Sequence, residues 1–181
     1  NLVDKYKDAE LGEWKFLMYD EASKKPVMPK GSVGHRWQSK HGEWNLEFKD
    51  GVDGTEFDPA LSLIEDHEDA VDVQFTEFAD EKQCIRQVPV RYLETSKGKV
   101  AVTTVFDLLN AQYGVDRGLA GDNAKSYDDE TVGYTPAWQE KRTGISKNTV
   151  IHFAREWATT AEKTGGKCCI IIGAGIDHWY H

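Results

Sequence analysis

The sequence predicts an α/β protein, an α+β fragment, with a β-rich first half followed by helices and a buried strand. Three observations predict it. Short runs with two-residue alternation recur up to about residue 100, and Val71-Asp72-Val73-Gln74-Phe75-Thr76-Glu77-Phe78 is the cleanest of them. From Phe106 onward the apolar spacing becomes helical. Residues 168–172, Cys-Cys-Ile-Ile-Ile, are then a continuous apolar run too short for a globular helix, which favours a strand covered on both faces.

The elements follow in order. Trp14-Lys15-Phe16-Leu17-Met18-Tyr19 is a strand candidate; Ser23-Lys24-Lys25-Pro26 turns the chain, and Val27-Met28 resumes a hairpin. A loop with Gly31, Gly34, Arg36 and Trp37 leads to Trp44-Asn45-Leu46-Glu47-Phe48, which ends at the turn signal Lys49-Asp50-Gly51. Leu61-Ser62-Leu63-Ile64 reads as a short strand, and residues 65–69 as an acidic loop with a solvated His67. Residues 71–78 should keep one wet face. Val88-Pro89-Val90-Arg91-Tyr92-Leu93 reads as an edge strand, because Pro89 cannot donate to a ladder. Ser96-Lys97-Gly98 turns into a strand over residues 100–105.

Residues 106–113 form a short helix closed by Gly114, and residues 116–131 a polar loop. Thr135-Pro136 opens a second helix, with proline in its first turn, and Gly144 ends it. Ser146 caps a third, whose apolar face is Val150, Ala154, Trp157, Ala158 and Ala161. Gly165 and Gly166 end it after Lys163. The period change near residue 100 divides the chain into a β-rich, partner-facing segment, 1–100, and an α/β segment, 101–181.

Composition narrows the function. With 181 residues, 39% of them hydrophobic, the chain can bury a core of about one domain. A net charge of −9 argues against nucleic acid or an anionic membrane as the main partner. No run approaches the roughly 18 apolar residues of a membrane span, so any membrane association comes through a partner rather than by direct insertion. Cys84, Cys168 and Cys169 contain no C-x-x-C and supply no complete zinc or iron–sulfur ligand set. They read as small core residues in a reducing compartment.

The chemistry-bearing stretch is 173–181, Gly-Ala-Gly-Ile-Asp-His-Trp-Tyr-His. A strand that ends in Gly-x-Gly lets backbone N–H groups approach a phosphate, and open α/β sheets bind ligands at that end of their strands. As a dinucleotide fingerprint it fails, because His178 occupies the third glycine position. A plain strand-to-loop turn is the alternative. The helix that should follow is missing, so the chain is expected to be a piece of a larger protein. His178 and His181 form H-x-x-H, but two ligands do not make a metal site. Asp177 could accept from guanine or pterin N–H groups, or from its own backbone. Ser126-Tyr127-Asp128-Asp129 reads as capping or loop chemistry, His35-Arg36 as an anion contact or packing, and His152 as a polar helix margin. No catalytic residue is identifiable.

Several stretches resemble, in order, the alpha (catalytic) subunit of membrane-bound respiratory nitrate reductase, a molybdopterin oxidoreductase. They are Ile170-Ile171-Ile172-Gly173-Ala174-Gly175-Ile176-Asp177-His178-Trp179-Tyr180-His181, Tyr134-Thr135-Pro136-Ala137-Trp138-Gln139-Glu140 and Thr143-Gly144-Ile145. Gly31-Ser32-Val33-Gly34, Val102-Thr103-Thr104-Val105, Tyr113-Gly114-Val115, Arg117-Gly118-Leu119, Ser126-Tyr127-Asp128-Asp129 and Ala154-Arg155-Glu156 match as well. The resemblance implies an internal fragment carrying part of a Rossmann-like molybdopterin-binding core. It implies a molybdenum bis-molybdopterin guanine dinucleotide and a [4Fe–4S] cluster whose ligands lie outside this chain. Gly173, Ala174, Gly175, Asp177, His178 and His181 become the cofactor-pocket positions, although the family is expected to carry Asn where this chain has Asp177. The implied substrate is nitrate, with electrons from quinol. The implied partners are a beta iron–sulfur subunit and a gamma b-haem membrane subunit, on the cytoplasmic face of the membrane. Relatives acting on chlorate, perchlorate or selenate are the near alternative. An interaction module docking on a partner subunit or assembly chaperone is another, and a freestanding nucleotide-binding domain a third.

Overall fold

Antiparallel pairing organises the first half of the chain. The computed structural model describes residues 3–9, 16–31, 47–77 and 82–173. β1 (Met18–Asp20) and β2 (Lys25–Val27) form a hairpin, with Tyr19 opposite Pro26. The predicted Ser23-Lys24 turn joins them, and Lys24 takes a left-handed φ of 56°. Asp20 holds this turn. Its carboxylate accepts from the Ser23 N–H at 2.9 Å and the Asp58 N–H at 3.0 Å. Hydrogen bonds from Ser23, then from the Asp58 amide, bring its pKa down to about 2. A depressed carboxylate stabilises the fold above its unfolded pKa of ~3.9 and loses that contribution as pH falls toward the folded value. A carboxyl-carbon NMR titration of the protein is therefore expected to place the Asp20 midpoint near 2, not near 4.

β3 (Pro29–Lys30) pairs with β4 (Glu47–Asp50). Asp50 pins the N-terminal 3₁₀ turn Asp4–Tyr6 to this pair. It accepts from the Tyr6 hydroxyl at 2.7 Å and from Lys5 Nζ at 2.6 Å. Tyr6 is buried there, so its hydroxyl needs such a partner.

The main sheet is antiparallel, in the order β5 (Asp69–Glu77), β6 (Lys82–Thr95), β7 (Gly98–Val102). β5 alternates as expected, with Asp72, Gln74 and Thr76 exposed. Its other face, Val71, Val73 and Phe75, packs with Tyr92 against buried Val88 and Val90. The edge-strand reading of residues 88–93 is corrected: they belong to the central strand. Pro89 is tolerated because β7 pairing stops at the Arg91–Val102 pair, so at Pro89 only β5 lies alongside, through Ala70. The proline signal was locally right and globally wrong.

α1 (Val105–Gln112) crosses the sheet and completes this core with Ala111 and Leu108. Burying Val88 and Val90 contributes about 1.5–3 kcal/mol each. The strand expected over residues 100–105 ends early. Thr104 instead caps α1, accepting from the Asp107 N–H at 3.0 Å, and Val105 is the first helical residue. Leu61-Ser62-Leu63-Ile64 is not a strand either, since its Leu63 N–H is drawn to the Asp107 side chain.

α2 (Pro136–Thr143) and α3 (Lys147–Thr164) begin and end where their caps predict. The Thr135 hydroxyl accepts from the Trp138 N–H at 3.1 Å and the Ser146 hydroxyl from the Asn148 N–H at 3.3 Å. Gly144 (φ 73°) and Gly165 (φ 64°) stop the helices in the left-handed conformation that glycine adopts at least cost. α3 packs on α2 but buries no residue completely. Of its expected apolar face, Val150, Trp157 and Ala161 are half-buried, while Ala154 and Ala158 are exposed.

The buried strand expected at 168–172 is a further correction. These residues form no strand, Ile171 is 90% exposed, and Cys169 is exposed as well. An apolar run with no ladder partner cannot close its backbone hydrogen bonds as strand. Every strand pair among the described residues is antiparallel, giving an α+β arrangement without a Rossmann-like sheet in them.

Candidate functional site

α3 delivers the chain to the predicted site. After the Gly165-Gly166 stop, where the Gly166 N–H donates to the Ala161 carbonyl at 2.7 Å, residues 167–173 leave the helix as an open segment. Gly173 is exposed, and a Cβ placed on it would meet nothing within 4 Å. Its backbone is thus open to a ligand. Ala174, Gly175, Asp177, His178 and His181 lie outside the described residues.

The polar loop 114–133 is held by a buried ion pair that sequence reading missed. Arg86 is 0% exposed and Glu77 2%. Arg86 Nη2 donates to Glu77 Oε1 at 3.0 Å, and its Nε to the Asp122 carbonyl at 2.8 Å. Its Nη1 donates to the Ala111 and Gln112 carbonyls, both at 3.0 Å. These carbonyls end α1, where a cation is favoured by the helix dipole. Glu77 also accepts from the Gly133 N–H at 3.3 Å. Three glycines admit the pair. A Cβ at Gly121 would lie 2.6 Å from Arg86 Cα, one at Gly114 3.1 Å from Arg86 Nη2, and one at Gly133 2.9 Å from Glu77 Cδ. The signal was present, because Cys84, Arg86, Val88 and Val90 alternate onto one buried face of β6. An arginine in that series needs a buried partner.

A second node joins α1 to the preceding loop. Asp107 accepts from the Leu63 N–H at 2.8 Å and from the Ser62 and Thr104 hydroxyls at 2.6 and 2.8 Å. Arg117 pairs with the same carboxylate and also donates to Ser62 Oγ at 2.7 Å. Burial alone would raise the Asp107 pKa. The bonds from Leu63, Ser62, Arg117 and Thr104 outweigh it and hold the carboxyl below its ordinary range.

Both nodes spend their charges internally, so neither offers a free acid, base or anion contact. The remaining candidates fall where the plainer readings put them. The Asp129 carboxylate accepts from the Thr131 N–H at 2.9 Å, closing a local turn, and Asp128 pairs with Lys147 Nζ at 2.6 Å. His152 is exposed on α3, 3.6 Å from Glu156, and His67 is exposed in its loop. Cys84 is buried, and burial pushes its thiol pKa up, so it packs as a neutral group. His35 and Arg36 lie outside the described residues. Among the described residues no group of three or more His, Cys, Asp or Glu could hold a metal.

Comparison with known proteins extends this geometry. The chain is 39% identical, over its full length, to the respiratory nitrate reductase 1 alpha chain of Escherichia coli K12. It is 39% identical to the nitrate reductase alpha chain of Bacillus subtilis over 93% of its length. With the nitrate reductase alpha subunit of Mycobacterium tuberculosis it shares 38% over 96%. The chain is homologous to nitrate reductase alpha chains. No protein-family model matches it. It spans 14–15% of the length of these nitrate reductase relatives. Thr135 and Ser146 cap helices and Gly114 and Gly144 hold left-handed turns, so these residues serve the scaffold. Gly173 is the one predicted pocket position whose surroundings are described.

Proposed function

We propose that this chain is a segment of the catalytic subunit of a respiratory nitrate reductase and that residues 173–181 form one wall of its cofactor pocket. The observation that supports the reading is the combination of homology to part of an alpha chain, over the whole of these 181 residues, with an open glycine backbone just beyond α3. By the resemblance, the metal and the [4Fe–4S] cluster would be held by other parts of the subunit. A molybdenum bis-molybdopterin guanine dinucleotide is the group such a wall would face, and when bound it supplies the oxygen transfer that turns nitrate into nitrite. Gly173, Ala174 and Gly175 would hold it by presenting backbone N–H groups at close range to a diphosphate. His178 and His181 would donate to pterin or oxygen atoms, and Asp177 would accept from ring N–H groups. The protein's part is binding, orientation and tuning of the cofactor.

The exposed 170–172 run fits the same reading. In the assembled subunit it would gain strand neighbours from the Rossmann-like core and bury its isoleucines. Electrons would come from quinol through a beta iron–sulfur subunit and a gamma b-haem subunit. The enzyme would sit on the cytoplasmic face of the membrane, held through those partners. No described helix is long and apolar enough to cross a membrane. Relatives that reduce chlorate, perchlorate or selenate would use the same wall.

Gly175→Val in the full-length subunit tests the pocket assignment. It is expected to lower both molybdenum content, read by elemental analysis, and nitrate reduction by at least about tenfold, because the side chain would block the backbone approach. Wild-type molybdenum content in this variant would remove the pocket role from this loop.

A further inference from the structure

Cys168 and Cys169 stand between the end of α3 and Gly173. Cys169 is exposed and Cys168 half-buried, whereas Cys84 is buried. The backbone leading into the pair is turned. Gly165 and Gly166 hold φ values of 64° and 83°, and the Cys168 N–H donates back to the Gly166 carbonyl at 2.9 Å. Among the described residues no strand pairs with residues 168–172. Two thiols adjacent in sequence thus sit on a backbone that no ladder fixes, next to the proposed pocket wall but outside it.

Strand and disulfide exclude each other at such a pair. In a strand, successive Cβ atoms point to opposite faces. A disulfide needs its two Cβ atoms within about 3.5–4.5 Å of each other. Neighbouring Cα atoms are only about 3.8 Å apart, closer than disulfides usually hold them. The bond between adjacent cysteines therefore closes on a turned backbone alone, and its strain makes it easy to reduce.

We propose that Cys168 and Cys169 are a site of reversible oxidation by hydroperoxides, and that the closed disulfide keeps residues 168–172 out of the strand they would join in the assembled subunit. The proposal rests on the reading of residues 173–181 as a pocket wall carried by that strand. One thiol sulfur attacks the peroxide, the O–O bond breaks, and the sulfur becomes a sulfenic acid. The thiol proton goes to the departing oxygen, which leaves as water or an alcohol. The second thiol then displaces the sulfenic oxygen as water, and the S–S bond forms. The two thiols give up two electrons in all, and one hydroperoxide takes them. Pairing of the strand holds the sulfurs on opposite faces, so oxidation is confined to the subunit before its core closes. A dithiol reductant reopens the pair by exchange.

The test uses the full-length alpha subunit prepared without the molybdenum cofactor. It is treated with hydrogen peroxide, alkylated, and read by peptide mass spectrometry. The expected result is loss of two hydrogens from the peptide carrying residues 168 and 169, with buried Cys84 still a thiol. Molybdenum uptake from added cofactor, read by elemental analysis, is then lost, and dithiothreitol restores it. Cys168→Ser should load normally before and after peroxide; Cys169→Ser replaces it if the first variant fails to fold. Three results overturn the proposal: no disulfide at the pair, a disulfide with unchanged molybdenum uptake, or equal loss of uptake in the serine variant. Failure of the pocket reading is separately visible, as wild-type molybdenum content in Gly175→Val.

Discussion

Arg86→Leu is expected to destabilise the protein by about 3–5 kcal/mol, the usual cost of leaving a buried charge without its partner. Glu77 would remain in the interior, with the Gly133 N–H as its one remaining donor among the described residues. The Gln112 and Asp122 carbonyls would lose the Arg86 donor at the same time, while the Ala111 carbonyl keeps the Gly114 N–H. For a chain of this size the change corresponds to a fall in Tm of about 10 °C. The urea-unfolding midpoint should fall in step, with little change in slope. Adding Glu77→Leu should recover part of the loss by removing the stranded charge. Recovery should stay incomplete, because the Gln112 and Asp122 carbonyls still lack the Arg86 donor. A wild-type midpoint for Arg86→Leu alone would show that the ion pair is not formed in solution.

Asp107→Ala is expected to cost about 3 kcal/mol or more, since hydrogen bonds to a charged group contribute about 1.5–3 kcal/mol and several are lost together. The Leu63 N–H and the Ser62 and Thr104 hydroxyls lose their acceptor, and Arg117 loses its counter-charge. Amide hydrogen exchange should locate the damage, with protection lost at Leu63 and in the first turn of α1 and retained in β6. Asp107→Asn should do little better, because its NH₂ group adds donors to a site already crowded with them. Acid should act in the same way. The folded carboxyl titrates below its unfolded value, so its contribution is complete above roughly pH 4 and is lost as pH falls through the folded pKa. Protection of Leu63 that persists unchanged in Asp107→Ala would contradict the assignment.

Local chemistry was legible in the sequence, and long-range pairing was not. Thr135-Pro136, Gly144, Ser146 and Gly165 each announce a helix end through groups within a few residues, and the structure places the ends there. The alternation over 71–77 likewise fixes which face of β5 is wet. Leu61-Ser62-Leu63-Ile64 failed as a strand because its apolar residues were counted and its distant acceptor, Asp107, was invisible. Pro89 misled because the strand pairing beside it stops at Arg91, which no local pattern encodes. The 168–172 run failed for a different reason. Apolar content shows that a segment will be covered, but not that the described residues supply the cover. The glycines at the candidate site were readable as a motif, and the role proposed for them rests on the resemblance.

The packing of three glycines around one ion pair bears on how this loop can diverge. Gly114 and Gly121 hold φ values of 67° and 130°, so a substitution there is strained whatever happens nearby. Gly133 carries no such restriction; what excludes a methyl group is the Glu77 carboxylate. Its freedom to vary is therefore conditional. Shortening residue 77 first opens residue 133 to alanine but strands the buried Arg86, whereas alanine first meets the Glu77 carboxylate, so each order carries its own cost. The order of mutation, and not only the final pair, decides which variants can be reached.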